Sequence, residues 1–232
     1  MWLTTIGRSV TGVAVVLAVL VASSPAAIAD EPVVPPPTVP ADQPAPGGAR
    51  HRVIPEGFLP EEAVATEPLS QPDVYWARND GPNLPPMLSP CGRPLRSDRA
   101  RVDGRQLVLI GPTLWKGARL VVYRDVKAAN AAVKETRSAL RRCERHQLAN
   151  GETTVWSSAP LPIGDEAVFA GGQQFRDATR VPGIFRGVVM RKGRVVQTYL
   201  VCGQSTEQPT PDEPHLEVRA MAAKLGRVRW AR

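Results

Sequence analysis

Two adjacent carboxylates, Asp165 and Glu166 in the stretch LPIGDEAVF, are candidates for acid–base chemistry. They follow a glycine and precede a short apolar run, which is typical of a turn that leads into a strand. Adjacent residues of a strand point to opposite faces of the sheet, so these two side chains could not converge on one substrate atom if both lie in the strand. We therefore interpret Asp165 as an acceptor of backbone N–H groups that sets the turn, rather than as a member of a catalytic pair.

Histidines and sequence motifs give no stronger sign of an enzyme. His146 lies three residues after Cys143 and could form a Cys–His pair, but a solvated histidine at the end of a helix is the favoured interpretation. The sequence contains none of the motifs G-x-S-x-G, S-x-x-K, H-E-x-x-H or G-x-x-x-x-G-K-[ST]. We therefore expect no enzymatic activity, no cofactor and no metal site, and a secreted hydrolase with an unrecognised active site is the alternative.

Cys91, Cys143 and Cys202 are the three cysteines of the chain. They allow three single pairings, and their spacing does not choose among them. The context favours a bridge between Cys91, in the turn-rich stretch LSPCGRPL, and Cys143, which ends an apolar helical stripe. Such a bridge would close a loop of about fifty residues and stabilise the fold by about 4 kcal/mol in the chain-entropy model. Cys202, in the strand-like stretch RVVQTYLVCG, is then expected to be a buried, unpaired thiol.

The elements that position these residues begin with a helix predicted over residues 125–145. Apolar or small side chains recur along it at spacings of three and four residues, which places them on one stripe of a helix. The stripe consists of Val126, Ala129, Val133, Thr136, Leu140 and Cys143. Asp125 is the predicted N-cap, and its charge suits the positive end of the helix.

Strands are predicted on both sides of this helix. Two stretches rich in β-branched residues precede it, RQLVLI and GARLVVYR, and four follow it, ETTVWSS, EAVFAGG, GIFRGVVMR and GRVVQTYLVCG. Lys192-Gly193 between the last two predicts a hairpin, and a final helix is predicted over residues 213–225. Uninterrupted groups of strands with only two helices predict an α+β fold: a mainly antiparallel sheet with one long covering helix and a C-terminal helix.

The N-terminal residues predict export from the cytoplasm. A positive charge at Arg8, an apolar run and the ending AIA are the three parts of a signal peptide, residues 1–29, with cleavage after Ala29.

Residues 30–58 are rich in proline and lack periodic apolar residues, so we predict a disordered tether. Residues 59–232 are long enough for one domain with its own core. No later stretch is apolar enough for a membrane span, so we expect a secreted, extracytoplasmic product with no transmembrane segment after processing.

The chain is basic, with 29 Lys and Arg against 22 Asp and Glu, and removal of the signal peptide lowers the net charge from +7 to +6. This charge predicts an anionic envelope polymer or a lipid headgroup as a partner, whereas export argues against nucleic acid. Arg137, Arg141 and Arg145 follow one another at four-residue spacing, so they would share one helix face, and they are the predicted anion-binding residues. The alternative is a solvated face of the kind that any surface helix shows.

Five features occur together in this chain: an early PCG, a helix that ends in Cys143, a GDEAVF strand, the hairpin GVVMRKGRVVQTYL and a C-terminal helix. Over about residues 70–230 the combination resembles the PknH-like extracellular sensor domain of actinobacteria. The resemblance implies a non-catalytic domain with an antiparallel sheet, packed helices, disulfides and a ligand-binding cleft. The chain carries no kinase domain, so we expect no signalling through an attached catalytic domain. Its odd number of cysteines departs from the two bridges that the resemblance would imply. We expect an exported sensor-like domain that binds a ligand or partner at the cell envelope.

Overall fold

Eight strands form one antiparallel sheet among the residues that the computed structural model describes, which are 53–63, 65, 69, 72–148, 150–204 and 215–228. These residues all belong to one unit of the chain, residues 44–232. The predicted signal peptide and residues 30–52 of the predicted tether lie outside the described residues. The strands are β1 (Tyr75–Asp80), β2 (Arg101–Ile110), β3 (Leu114–Tyr123), β4 (Arg145–Gln147), β5 (Thr153–Leu161), β6 (Glu166–Arg176), β7 (Thr179–Lys192) and β8 (Val195–Gly203). The helices are α1 (Val126–Arg142), α2 (His215–Arg227) and a short 3₁₀ helix, Arg96–Ala100.

The strand order explains why one helix covers the centre of the sheet. The order is β1-β2-β3-β8-β7-β6-β5-β4, with every neighbouring pair antiparallel. The chain leaves β3 in the middle, crosses one face as α1 and re-enters at the far edge as β4. Strands β5 to β8 then return to β3, and the last of these turns is the predicted hairpin at Lys192-Gly193. The predicted α+β fold with a mainly antiparallel sheet and two helices is confirmed.

The sheet has a core on each face because successive side chains of a strand alternate between the two faces. The core beneath α1 contains Val121, Tyr123, Val168, Val189 and Val196, with Ala129, Val133 and Leu140 of the helix. The core on the opposite face contains Leu120, Val122, Phe169, Met190 and Tyr199, with Val218, Met221 and Leu225 of α2. The described residues therefore form three layers, in the order α1, sheet and α2.

Helix α1 begins where the sequence predicts. The side chain of Asp125 accepts a hydrogen bond from the backbone N–H of Ala128 at 2.7 Å, so it is the N-cap. The predicted stripe is buried at Ala129, Val133, Thr136 and Leu140. Val126, the first helical residue, is instead 53% exposed.

The predicted end of α1 at residue 145 is wrong. The helix stops at Arg142, and Cys143 is its C-cap. Arg145 already belongs to β4 and pairs with Val155 of β5. The chain must leave the helix here because the three-residue strand β4 closes the edge of the sheet.

The sequence predicts neither edge strand, β1 nor β4. Their sequences are YWARND and RHQ, which contain no β-branched residue and no apolar alternation. The C-terminal helix is present as His215–Arg227, and residues 213–214 of the prediction lie outside the described residues. None of the helices in the described part of the chain is long and apolar enough to cross a membrane.

Residues 53–58 pack on the sheet, although the sequence places them in the tether. Ile54 and Phe58 are 1% and 5% exposed and belong to the core that α2 covers. The backbone N–H groups of Val53 and Ile54 donate to Oδ2 of Asp103 at 2.9 and 3.0 Å. The predicted boundary therefore places six folded residues in the tether, because isolated apolar residues between proline and glycine give no periodic signal.

Candidate functional site

A groove of about 920 Å³ runs along one side of α1, between the helix and residues 91–96. A disulfide between Cys91 and Cys143 joins this segment to the C-terminal end of the helix, with 5.4 Å between the two Cα atoms. The predicted pairing is confirmed, and Cys202 is the free cysteine. The bridge sets the distance between the two walls of the groove at this end.

Positive charge dominates this groove. Its exposed cations are Arg93 and Arg96 on one wall, and Lys134 and Arg142 on α1. Its one carboxylate, Glu135, accepts hydrogen bonds from the backbone N–H and the hydroxyl of Ser97, each at 3.1 Å. None of the four cations has an ion-pair partner within the described ranges. Their charge is therefore not neutralised by these neighbours.

A second groove, of about 620 Å³, continues the first toward the N-terminal end of α1 and shares Arg96 and Glu135 with it. It adds three exposed cations, Arg99, Arg124 and Lys127. Its additional carboxylate is the N-cap Asp125, which also lies 3.4 Å from Nε of Arg124. We call the two grooves together the cationic groove; its lining carries seven Lys or Arg side chains and two carboxylates.

Four small side chains of α1 line the cationic groove between its cations. These residues are Ala128, Ala131, Ser138 and Ala139. They share one flank of the helix with Lys134 and Arg142, because residues three and four positions apart lie above one another. Long side chains at these positions would fill the space, so the small residues keep the groove open between its cations.

The predicted anion-binding residues Arg137, Arg141 and Arg145 do not form one helical row. Arg137 lies on the flank of α1 that faces β6, where it pairs with Glu166 at 2.9 Å. Arg141 is exposed but does not line the cationic groove, and Arg145 belongs to β4. The expected row is wrong because the helix ends at Arg142. Anion binding by these three arginines remains a prediction.

Sequence reasoning missed the groove residues, yet a signal for part of the groove was present. The predicted bridge between Cys91 and Cys143 places the residues that follow Cys91 beside the last turn of the helix. Arg93 and Arg96 must then lie near Arg142. The basic groups of two segments meet there because of a single covalent bond.

Asp165 accepts a backbone hydrogen bond, as the sequence predicts, but the bond joins two turns and does not set the turn of Asp165 itself. Its carboxylate accepts hydrogen bonds from the backbone N–H of Gly193 at 2.7 Å, from Nζ of Lys192 at 2.9 Å and from Nη1 of Arg191 at 3.0 Å. The backbone donor belongs to the β7–β8 hairpin, not to the turn of Asp165 itself. Partial burial raises the pKa of Asp165, but the hydrogen bonds from Lys192 and Gly193 outweigh this effect and hold the pKa below its usual 3.8. Glu166 pairs with Arg137 at 2.9 Å, and its other carboxylate oxygen lies 4.0 Å from Nε of Arg191, so the two carboxylates share Arg191 as an ion-pair partner.

His146 and Cys202 are far apart in the sheet. His146 is not the solvated helix-end residue that the sequence predicts, because it lies half-buried in β4 and lines the groove near the disulfide. Cys202 lies in β8, four strands away, which is ~19 Å at the usual strand spacing. Burial raises the pKa of Cys202 to about 12, so the thiol is protonated at neutral pH and is a weak nucleophile. The described residues contain no group of three or more His, Cys, Asp or Glu that could hold a metal ion.

Comparison with known proteins shows that the fold of this chain is similar to that of a solved structure. No protein-family model and no curated protein matches the chain. Among solved structures, the chain is similar to the crystal structure of the extracellular domain of PknH from Mycobacterium tuberculosis, with a TM-score of 0.50 and 12% sequence identity. The match covers 74% of this chain and 94% of that chain. At this identity the similarity establishes the fold alone, and it supports the expected resemblance as a distant structural relationship.

Proposed function

We propose that the protein is a non-catalytic, sensor-like domain that acts outside the cytoplasm and binds an anionic ligand in the cationic groove. The observation that carries this proposal is the excess of seven exposed cations over two carboxylates in one concave surface. Both carboxylates already accept hydrogen bonds from neighbouring residues. An anion in the groove would relieve the repulsion among the cations and would replace the water around them with direct hydrogen bonds.

Two further observations support the location outside the cytoplasm. The Cys91–Cys143 disulfide is typical of an oxidising compartment. The structural neighbour described above is an extracellular domain. A sensor-like role also needs no attached catalytic group, since a protein can report on a ligand through a partner that recognises the occupied state.

The alternative of a secreted hydrolase has less support. A nucleophilic cysteine needs a lowered pKa and a nearby base. Cys202 has a raised pKa and lies four strands from His146, and Asp165 is engaged by the hairpin.

A titration with inorganic tripolyphosphate tests the proposal. Backbone amide NMR signals of the isotopically labelled protein should shift in residues 91–100 and 124–142, and the apparent affinity should fall steeply with salt because exposed charges are screened within ~8 Å at physiological ionic strength. The double variant Arg96→Gln/Lys134→Gln should weaken binding by about tenfold, because it removes one cation from each wall.

The matched control is Arg141→Gln/Arg145→Gln, which removes the same charge from residues outside the groove lining. Its affinity should stay within about twofold of the parent, since long-range charge effects are weak in salt. An equal loss of tripolyphosphate affinity in the two double variants would contradict a specific site in the groove. So would NMR signal shifts that are spread over the whole basic surface. Either result would favour anion binding by Arg137, Arg141 and Arg145, as the sequence predicts, or non-specific attraction to the basic surface.

A further inference from the structure

The shape of the cationic groove carries information about its ligand beyond the sign of the charge. Its cations on α1 begin at Lys127 and end at Arg142. Fifteen residues of helix correspond to a length of ~22 Å at 1.5 Å per residue. This distance exceeds the size of a single phosphate or carboxylate several times, so a small anion could contact only one part of the groove.

The charges are distributed along the whole of this length and on both walls. On α1 they lie at Lys127, Lys134 and Arg142, which are separated by roughly two helical turns each. The facing wall carries Arg93, Arg96 and Arg99, at three-residue intervals. Repeated charges on two parallel walls match a chain with repeated negative charges, since each repeat can be neutralised by its own pair of cations.

The chemistry of the lining selects the kind of chain. The cations are mostly arginines, which bind phosphate and carboxylate through several N–H groups. A carboxylate presents its two oxygens in one plane and suits one guanidinium, whereas a phosphate presents oxygens in several directions and can bridge the two walls. Among the residues that line the groove, His146 has the only aromatic ring, so the stacking platform that single-stranded nucleic acid needs is not provided.

The concave form also distinguishes a polymer from a membrane. A bilayer surface is flat, and peripheral proteins bind it through cations beside apolar side chains that enter the lipid. Between the cations of α1, the groove is lined by small residues such as Ala131 and Ser138, which leave its space open. A flexible chain can enter this space, whereas a planar array of headgroups can reach only the rims.

We propose that the cationic groove binds a linear phosphate-bearing polymer lengthwise, in contact with both ends of α1. This inference rests on the proposed function and names the ligand class for the same site. Because the polymer spans the groove, its affinity depends on cations that are too far apart to touch one small anion. The affinity should therefore rise from tripolyphosphate to long-chain polyphosphate by more than the number of phosphates accounts for.

The experiment compares two double variants of the full exported protein. One removes cations near the disulfide, Arg93→Gln/Arg142→Gln, and the other removes cations near the helix start, Arg99→Gln/Lys127→Gln. Long-chain inorganic polyphosphate should bind each variant about tenfold more weakly than it binds the parent. Each variant should also lower the slope of log affinity against log salt by about 1.4, at roughly 0.7 per lost phosphate contact. Arg219→Gln/Arg227→Gln, which removes two exposed cations from α2 on the opposite face of the sheet, is the control and should bind within about twofold of the parent.

The outcomes separate this inference from the proposed function. If only one of the two variants lowers the affinity for long-chain polyphosphate, the site occupies one end of the groove. Lengthwise binding is then wrong, while anion binding in the groove stands. If neither variant has an effect, lengthwise binding is wrong, and anion binding in the groove is then decided by the Arg96→Gln/Lys134→Gln variant. Equal affinity for poly-glutamate of matched length would overturn the assignment to phosphate. Binding to anionic vesicles that is as tight as to polyphosphate, and equally sensitive to the two variants, would overturn the choice of a polymer over a membrane.

Discussion

At the residue scale, one carboxylate joins two turns that are 28 residues apart in the chain. Asp165 follows a turn at Gly164, where φ is +67° and an added Cβ would lie 2.5 Å from the carbonyl oxygen of Arg191. The close approach of the two backbones requires glycine at this position. It also brings the carboxylate of Asp165 against the tip of the β7–β8 hairpin, so that the acid which resembles a catalytic residue holds a turn in place.

Asp165→Asn should destabilise the protein by about 1 kcal/mol at neutral pH, because it removes the charge that accepts bonds from Lys192 and Arg191. The folded-state pKa of Asp165 lies below the usual 3.8, so its contribution is fully present above that pH and is lost as the pH falls through the folded pKa. The difference in unfolding free energy between parent and variant should thus be constant down to about pH 4 and shrink below it. Urea unfolding at several pH values measures this.

Asp177→Asn is the control for that series. Asp177 is exposed in the β6–β7 turn with φ of +47°, a conformation that asparagine also adopts. Its unfolding free energy should match the parent at every pH. If the unfolding free energy of Asp165→Asn stays below that of the parent by the same amount down to pH 2, the shape of Asp165 and not its charge stabilises the fold.

At the element scale, α1 has three functions that depend on three sides of the helix. Its buried stripe, with Val133 at 0% exposure, fixes it to the sheet. One flank pairs the half-buried Arg137 with Glu166 of β6, and the other flank forms a wall of the cationic groove. The disulfide then attaches the opposite wall to the end of the helix. The groove is therefore a property of two elements and the bond between them.

Cys91→Ser/Cys143→Ser should lower the unfolding free energy by ~4 kcal/mol, since the bridge closes a loop with a sequence separation of 52 residues. It should also weaken tripolyphosphate binding in the still-folded protein, because residues 91–96 are no longer held at a set distance from α1. Denaturant unfolding and the binding titration measure the two effects separately.

Cys202→Ala provides the matched control, because it removes the cysteine that forms no bridge. We expect about 1 kcal/mol of destabilisation from the lost packing and unchanged binding. A bridge-deficient variant that binds as tightly as the parent would mean that the wall keeps its position without the disulfide, and the bridge would then contribute to stability alone.

At the scale of the whole molecule, the two faces of the sheet differ in what covers them. The face that carries α1 also carries the cationic groove. The opposite face is closed by α2 and by residues 53–58 at the beginning of the described chain. Arg105, which is 1% exposed, holds this segment through a hydrogen bond to the carbonyl oxygen of Pro55, and it also pairs with Glu62, four residues after the segment. The segment that leads into the fold thus lies on the face away from the groove.

Ile54→Ala should cost about 2–5 kcal/mol of unfolding free energy, because the side chain is 1% exposed in the core under α2. Glu56→Ala, two residues further on, is the control, since Glu56 is exposed and makes only a 3.5 Å ion pair with Arg78. Thermal unfolding of the two variants beside the parent measures the difference. If Ile54→Ala unfolds at the same temperature as the parent, residues 53–58 do not contribute to the core, as expected for the tether that the sequence predicts.

Several properties of this protein follow from local sequence alone. The periodicity of residues 126–143 defines α1 and its N-cap, and runs of β-branched residues define six of the eight strands. The turn chemistry of Gly164-Asp165 and Lys192-Gly193 is local as well. These features are predictable because helices, strands and turns depend on residues within a few positions of one another.

Other properties depend on contacts between distant parts of the chain. The edge strands β1 and β4 lack β-branched residues, and they form because a neighbouring strand offers unpaired backbone groups. Residues 53–58 carry no periodic signal, yet they fold because Asp103 and Arg105 bind their backbone. The cationic groove combines residues of α1 with a segment some forty residues earlier, and the disulfide together with the fold of α1 on the sheet places them side by side. Charge composition alone therefore predicts an anionic partner, whereas only tertiary structure determines which cations can meet it.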